Sequence, residues 1–221
     1  MDLSGIGWDA AGLVTAVAQH RHTGEVCMVA HASEEAVRRT VESGQAWFFS
    51  RSRRALWRKG ETSGHTLAVH EVWADCDGDA LIYLVEPAGP ACHTQRRTCF
   101  FRRLGASAGP DAHSSPTLVR LWDTLEARRV PQGEKSYTRS LLDAGAGTVG
   151  DKIREEADEL ARAVAGESDD RVVAEAADLL YHLAVGLLAR DLTLADVEAE
   201  LARRSGTSGH AEKASRNSGD R

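Results

Sequence analysis

A chain of 221 residues can form one large domain or two small ones, each with its own hydrophobic core. Its 42% hydrophobic and 27% charged residues are ordinary values for a globular protein, and no apolar run approaches the length of a membrane span. The net charge of −6 arises entirely from residues 105–221, because residues 1–104 carry equal numbers of acidic and basic side chains. This distribution argues against a nucleic-acid-binding surface along the whole chain.

The first residues of the chain lack the basic stretch that precedes the apolar core of a signal peptide. We therefore expect a cytoplasmic protein with neither a membrane nor a nucleic acid as its partner. In that compartment the four cysteines are more typical of free thiols or metal ligands than of disulfides.

The first hundred residues predict mostly β-strand. Residues 12–32 read as two strands around a turn at Thr23-Gly24, followed by a short helix that Ser33 caps and Gly44 ends. Three further strands are predicted at residues 45–52, 65–76 and 80–87, with Asp77-Gly78 as the hairpin turn between the last two.

The second half predicts only helices. Residues 105–115 are small, polar and rich in Gly and Pro, so we interpret them as a linker. A helix begins after Ser115-Pro116, with an apolar stripe at Leu118, Leu121, Trp122 and Leu125. Further helices are predicted at residues 148–165, 171–190 and 193–204, the second capped by Asp169 or Asp170 and the third by Thr193.

These patterns predict an α+β protein of two domains. A β-rich domain at residues 1–104 precedes an all-α domain at residues 116–204. The polar residues 205–221 predict a disordered tail.

Three of the four cysteines, Cys76, Cys92 and Cys99, lie in one short part of the sequence, with His93 beside the second. Thiolates suit zinc, and three protein ligands with an open fourth position are typical of a catalytic zinc site. The wide spacing lacks a CxxC pair, so a zinc ribbon is a poor match. Buried structural thiols are the alternative, because free cysteine packs like a small hydrophobic residue.

Asp75, Asp77 and Asp79 alternate with Cys76 and a glycine. Carboxylates are hard ligands that suit Mg²⁺ or Ca²⁺, and alternation along an extended segment would direct them away from Cys76. A solvated hairpin turn is the alternative interpretation. A calcium loop does not fit, because Ala80 occupies the position where that loop requires glycine.

The stretch before these aspartates is basic. It contains Arg51, Arg53, Arg54, Arg58 and Lys59 beside Trp57. Arginine side chains recognise phosphate with two parallel hydrogen bonds, so an anionic ligand is one interpretation. A solvated basic edge strand is the other.

Two predicted helices carry acidic pairs. Glu155, Glu156 and Glu159 lie within one turn, and Glu175 and Asp178 repeat the spacing in a largely apolar context. We expect Glu175 and Asp178 to be partly buried, and buried carboxylates need cations. Two such helices facing each other would hold Mg²⁺ bound to a pyrophosphate chain. Acidic side chains on solvated helix faces are the alternative.

Six stretches of the sequence resemble the motifs of two known enzyme families. "SRSRRALWRKGETSGH", "DCDGDALIYLVEPAGPACHT" and "RRTCFFR" resemble the signatures of phosphoribosyl-AMP cyclohydrolase. "EKSYTRSLL", "KIREEADEL" and "EAADLLYHLAVGLLARDLTLADVEAEL" are similar to phosphoribosyl-ATP pyrophosphohydrolase of the all-α, MazG-like type. In this order they resemble the fused bifunctional enzyme of histidine biosynthesis.

The resemblance implies two successive hydrolyses. The helical domain would cleave phosphoribosyl-ATP to phosphoribosyl-AMP and pyrophosphate with Mg²⁺. The β-rich domain would then add zinc-activated water at C6 of the adenine ring and break the N1–C6 bond. It also implies a homodimer in which the zinc site is shared between chains.

Residue roles carried over from the resemblance cover both domains. Cys76, Cys92 and Cys99 match zinc ligands, Cys76 coming from the second chain of the dimer, and Asp75, Asp77 and Asp79 match magnesium ligands. His93 matches a histidine implicated in proton transfer, while Arg51, Arg53, Trp57 and Lys59 would bind the substrate. In the helical domain Glu156, Glu159, Glu175 and Asp178 match metal ligands, Glu155 would orient water, and Lys152 would contact phosphate.

Four positions depart from the usual pattern: His20, His31, Ala32 and Arg154. None is an expected metal ligand. Two other functions compete with the resemblance. One is a MazG-like nucleoside triphosphate pyrophosphohydrolase with a regulatory zinc domain, and the other is a zinc-stabilised nucleic-acid-binding module, which the charge distribution opposes.

Overall fold

The computed structural model describes residues 1–104, 114–130 and 136–205. They belong to two compact units, one ending at Pro116 and the other beginning at Thr117. Nearly all of the predicted linker and the predicted tail lie outside the described residues. The two units agree with the prediction of a β-rich domain followed by an all-α domain.

The elements of the first unit are β1 (Leu13–His20), β2 (Val26–Ser33), α1 (Glu34–Ser43), β3 (Trp47–Ser50), β4 (Ala55–Arg58), β5 (Leu67–Ala74) and β6 (Ala80–Pro87). The six strands form one mixed sheet in the order β4-β3-β2-β1-β6-β5. β1 and β6 run parallel, and the other neighbouring strands run antiparallel.

The local signals for α1 and for the β5–β6 hairpin are confirmed. The Ser33 side chain accepts a hydrogen bond from the backbone N–H of Ala36, and Gly44 ends the helix at φ 64°. Residues 75–79 connect β5 to β6, and Gly78 adopts φ 77° there. A Cβ on Gly78 would also clash with the carbonyl oxygen of Gly5, so the turn requires glycine.

The sheet curls into a half-barrel because its far strand returns to the segment before β3. The backbone N–H of Ala46 donates to the carbonyl of Leu67 at 3.1 Å, and that of Val69 donates to the carbonyl of Gly44 at 2.8 Å. The curled face encloses the main core, whose largest fully buried side chains include Tyr83, Phe48, Leu67, Leu81, Val37 and Val85.

The second unit contains five helices in its described residues. They are α2 (Thr117–Ala127), α3 (Tyr137–Ala144), α4 (Ala146–Gly166), α5 (Asp169–Leu188) and α6 (Leu194–Arg204). Their shared core comprises Trp122, Leu125, Leu141, Val149, Ala184, Val185 and Leu188. α3 was not predicted as a separate helix, while α4, α5 and α6 confirm the three later predictions within a few residues.

Two details of the helix predictions are wrong and one is confirmed. Leu118 is exposed, and Val119 takes the buried position beside Trp122 and Leu125. Ser168, rather than Asp169 or Asp170, is the N-cap of α5, and the two aspartates occupy its first turn. Thr193 caps α6 as predicted, in a capping box with Asp196. In the described part of the chain, no helix is both long and apolar enough to cross a membrane.

Candidate active sites

A cleft of the first unit, about 360 Å³ in volume, brings together two of the predicted zinc ligands. Cys92 and Cys99 both line it, with His93 beside them. The chain folds back tightly here: the backbone N–H of Cys92 donates to the carbonyl of Arg96 at 3.0 Å. The N–H of Cys99 donates to the carbonyl of Cys27 at 2.8 Å, which docks the returning segment on β2.

The two thiols of this cleft have different acidities. Burial opposes ionisation of Cys92, but hydrogen bonds from Thr94 and Cys99 and the charge of Lys59 outweigh it and lower the pKa of Cys92. Burial, together with the neighbouring Cys92, raises the pKa of Cys99 to about 11. Cys92 is therefore the thiol of the pair that ionises first, and thiolates are the form that binds metal.

Three of the predicted substrate-binding residues line the same cleft: Arg53, Trp57 and Lys59. Arg51 lines a neighbouring cleft of about 540 Å³, to which Arg53 and Trp57 also contribute. His65 lines the thiol cleft as well, although no role was assigned to it from the sequence. Its place at the end of the motif "GETSGH" was the one feature of the sequence that pointed to it. The motif begins at Gly60, where an added Cβ would lie 2.6 Å from the backbone of His65.

Cys76 lies away from these two thiols, in the exposed turn after β5. The neighbouring carboxylates of Asp75, Asp77 and Asp79 are also exposed, and their oxygens lie within 4.8 Å of one another. The charges of Asp77 and Asp75 raise the pKa of Asp79, because each carboxylate disfavours ionisation of the next. A divalent cation would relieve this repulsion. Within one chain, the described residues bring the three aspartates together but not the three cysteines.

The second unit brings together three of its four predicted metal ligands. Carboxylate oxygens of Glu156 and Glu159 on α4 and of Glu175 on α5 lie within 4.8 Å of one another. Glu175 is only 3% exposed and forms an ion pair with Arg171. Burial raises the pKa of Glu175, Arg171 opposes this, and Glu159 adds to it. Buried, mutually repelling carboxylates of this kind are suited to a cation.

The remaining predicted residues surround this cluster. Asp178 lies one turn after Glu175, but it is exposed, so the expectation of burial is wrong for Asp178 and confirmed for Glu175. Glu155 is exposed and accepts a hydrogen bond from Lys152 at 2.7 Å, which raises the pKa of Lys152. His182, to which no role was assigned from the sequence, is buried on α5 with Nδ1 3.5 Å from Oε1 of Glu156.

The fold and these groups of side chains are typical of a class, that of metal-dependent hydrolases with two domains. Comparison with known proteins identifies the family within that class. The family model for phosphoribosyl-AMP cyclohydrolase matches residues 28–101, and the model for phosphoribosyl-ATP pyrophosphohydrolase matches residues 118–205.

Several curated relatives match almost the whole chain. The histidine biosynthesis bifunctional protein HisIE of Wolinella succinogenes is 43% identical, over 97% of this chain and 97% of its own length. The Thermus thermophilus protein of the same name is 44% identical over 89% and 91%, and the chloroplastic Arabidopsis thaliana protein 41% over 97% and 80%. The chain belongs to the family of bifunctional phosphoribosyl-AMP cyclohydrolase and phosphoribosyl-ATP pyrophosphohydrolase proteins, which confirms the resemblance found in the sequence.

Proposed function

We propose that the two units catalyse successive hydrolyses at separate sites, with zinc and magnesium in the β-rich unit and magnesium in the helical unit. The helical unit releases pyrophosphate from phosphoribosyl-ATP, and the β-rich unit opens the adenine ring of the resulting phosphoribosyl-AMP. The observation that carries the proposal is that one chain combines a thiol-lined cleft with a buried carboxylate cluster, each within the region that matches the corresponding family.

The donor set of the cleft fits zinc. Cys92 and Cys99 offer soft sulfur ligands, and the lowered pKa of Cys92 favours its thiolate. Zinc held there supplies a Lewis acid that activates water near neutral pH. His93, exposed at the side of the cleft, would transfer the proton, while Lys59, Arg53 and Trp57, with Arg51 in the neighbouring cleft, would hold the substrate.

The third thiol, Cys76, is supplied by a second copy of the chain in this proposal. Its exposure in the β5–β6 turn leaves it available to another molecule. The outer face of the sheet offers a surface for that copy, because Val29, Val17, Ile82 and Trp73 pair across β2, β1, β6 and β5 in one row. Trp73 is 58% and Ile82 39% exposed, and contiguous exposed apolar patches mark interaction sites.

Magnesium fits the oxygen ligands of both units. Asp75, Asp77 and Asp79 would hold one ion near the shared thiol. Glu156, Glu159 and Glu175, with Asp178 on the same helix, would hold the ion that binds the pyrophosphate part of phosphoribosyl-ATP. Lys152 would exchange its bond to Glu155 for one to phosphate, which frees Glu155 to orient the attacking water.

The test is to incubate the purified protein with phosphoribosyl-ATP, Mg²⁺ and trace Zn²⁺, and to follow pyrophosphate together with the ring-opened product. Cys92→Ala should abolish ring opening and preserve pyrophosphate release, whereas Glu175→Ala should abolish pyrophosphate release and preserve ring opening of supplied phosphoribosyl-AMP. Loss of both activities in both variants would contradict separate sites. Faster turnover of dATP than of phosphoribosyl-ATP would instead favour a MazG-like nucleotide pyrophosphohydrolase.

The four cysteines are all free thiols. This supports a reducing location such as the cytoplasm, because thiols there stay available as metal ligands. Extraction of the protein under oxygen-free conditions with its zinc retained would agree with that location.

A further inference from the structure

His182 is a buried side chain of the helical unit with partners at both ring nitrogens. Nδ1 lies 2.9 Å from the backbone carbonyl oxygen of Asp178, and Nε2 lies 3.2 Å from the hydroxyl oxygen of Tyr137. The same Nδ1 is 3.5 Å from Oε1 of Glu156. The ring thus contacts α3, α4 and its own helix α5.

These partners fix the orientation of the imidazole ring. A carbonyl oxygen can only accept a hydrogen bond, so Nδ1 carries a proton and donates to Asp178. In the neutral ring Nε2 is then the acceptor, and the hydroxyl of Tyr137 donates to it. The Nδ1–H donates to Asp178, and the same atom lies 3.5 Å from Oε1 of Glu156, so the ring packs its polar edge beside this buried carboxylate without a hydrogen bond to it.

We propose that His182 is a positioning residue for the pyrophosphohydrolase site: it holds Glu156 in the ligand cluster and couples it to Tyr137. The inference rests on the proposed function of that cluster as a metal site. His182 hydrogen-bonds the backbone of Asp178 and packs against Glu156, two of the expected ligands. Residues that support metal ligands in this way orient them, and loss of such a residue typically costs about 10- to 100-fold in metal affinity or activity.

The competing interpretation is a histidine that only fills the core and satisfies Tyr137. A neighbouring contact separates the two. The hydroxyls of Thr138 and Tyr181 lie 2.8 Å apart and join the same two helices, α3 and α5. Because the hydroxyl of Thr138 contacts Tyr181 and Arg128 rather than a carboxylate of the cluster, Tyr181→Phe removes a comparable α3–α5 hydrogen bond and serves as the matched control.

Two substitutions of His182 separate its two contacts. The side-chain amide nitrogen of asparagine reaches the position of Nδ1, so His182→Asn retains a donor toward Asp178 and Glu156. The amide of glutamine reaches the position of Nε2, so His182→Gln retains only the contact to Tyr137. If His182 positions Glu156, the asparagine variant keeps the function that the glutamine variant loses.

The readout is direct binding of Mn²⁺ in place of Mg²⁺, followed by loss of the electron paramagnetic resonance signal of the free ion. Asp77→Asn and Asp79→Asn are introduced in every protein, so that the signal reports on the helical cluster. We expect His182→Gln to weaken Mn²⁺ binding by about 10-fold or more, while His182→Asn and Tyr181→Phe stay close to the parent. The Mg²⁺ concentration for half-maximal pyrophosphate release should shift in the same order.

Three results would overturn the inference. The first is a glutamine variant that binds Mn²⁺ as tightly as the parent; the second is an asparagine variant that alone loses binding. The third is an equal loss in all three variants accompanied by an equal fall in Tm, which would mean a purely structural role. A parent protein that binds no Mn²⁺ at this cluster would instead contradict the proposed metal site itself.

Discussion

The ammonium group of Lys59 donates a hydrogen bond to the backbone carbonyl oxygen of His65 at 2.9 Å, and this contact holds it inside the thiol cleft. Lys59 is 9% exposed, and burial lowers its pKa, an effect that the nearby Cys99 and Cys92 oppose. A cation fixed this way needs little reorganisation when negative charge develops on a bound substrate.

We expect Lys59→Met to slow ring opening by about 100-fold, because a buried, fixed donor is lost while the length of the side chain is kept. Pyrophosphate release from phosphoribosyl-ATP should remain at the parental rate. Arg53→Met is the comparison, since Arg53 lines the same cleft but is exposed. Its effect should fall mainly on KM, and a Lys59→Met protein with parental kcat would contradict the assigned role.

The four thiols should differ sharply in reactivity. Cys27 is 1% exposed, and burial raises its pKa to about 12, whereas Cys76 is exposed. Because the thiolate is the reactive form, metal-free protein treated with iodoacetamide should be alkylated at Cys76 and not at Cys27.

At pH 9 Cys27 should still be unmodified, since burial raises its pKa to about 12 and it remains a neutral thiol well below that pH. Peptide mass spectrometry locates the label, and Cys76→Ser is the control. Alkylation of Cys27 in the folded protein at pH 9 would show that the start of β2, where Cys27 lies, unfolds locally and exposes the thiol.

Capping residues in the sequence correctly predicted where two helices begin or end. Ser33 and Gly44 bound α1, and Thr193 caps α6, because each acts within one turn of its own helix. β4 (Ala55–Arg58) was only an alternative interpretation of a basic stretch. Its strand character comes from pairing with β3 and not from an apolar alternation of its own.

Helical geometry explains which parts of the acidic cluster were predictable. Asp178 follows Glu175 by three residues but is exposed and lies outside the group of three carboxylates. Glu156 and Glu159 have the same spacing and both belong to that group, so the spacing alone could not separate the two pairs. Seven residues return to nearly the same face, which puts His182 in line with Glu175. That spacing was a readable signal for His182, whereas the contact of His182 with Glu156 on another helix required the tertiary structure.

The apolar row on the sheet predicts the assembly of the protein. Trp73 and Ile82 pair directly across β5 and β6 and are both exposed. If a second copy covers them, Trp73→Glu should shift the protein from dimer to monomer in light scattering after size-exclusion chromatography, because a buried unpaired charge is costly. Ring opening should fall with the loss of the partner's thiol, while pyrophosphate release from the helical unit persists. Val164→Glu, an exposed apolar position on α4, is the control.

A dimeric Trp73→Glu protein with full ring-opening activity would contradict both the surface and the shared site. Mixing Cys76→Ala with Cys92→Ala protein provides a complementary measurement. Each variant alone should be inactive in ring opening, and mixed dimers should regain part of the activity, since one of their two sites receives intact thiols from both chains.

The last prediction concerns Glu25, a buried carboxylate in the residue before β2, which anchors the segment carrying Cys99. Glu25 forms an ion pair with Arg97 at 2.9 Å and accepts a hydrogen bond from the hydroxyl of Ser115. The hydroxyl of Thr98, the residue after Arg97, donates a hydrogen bond to the carbonyl oxygen of Val26 at 2.6 Å. These contacts fix the backbone that presents Cys99 to the cleft.

We expect Glu25→Ala to destabilise the β-rich unit by about 2 kcal/mol, less than for a fully buried pair because the Arg97 side chain is 43% exposed. Zinc should also dissociate faster, since the Cys99 segment loses its anchor; a colorimetric chelator measures that rate, and urea unfolding measures the stability. Glu35→Ala removes an exposed ion pair to Arg39 on α1 and should change stability by less than about 0.5 kcal/mol. Unchanged zinc dissociation in Glu25→Ala would mean that the contacts of Cys99 to Cys27 and of Thr98 to Val26 are sufficient to hold Cys99.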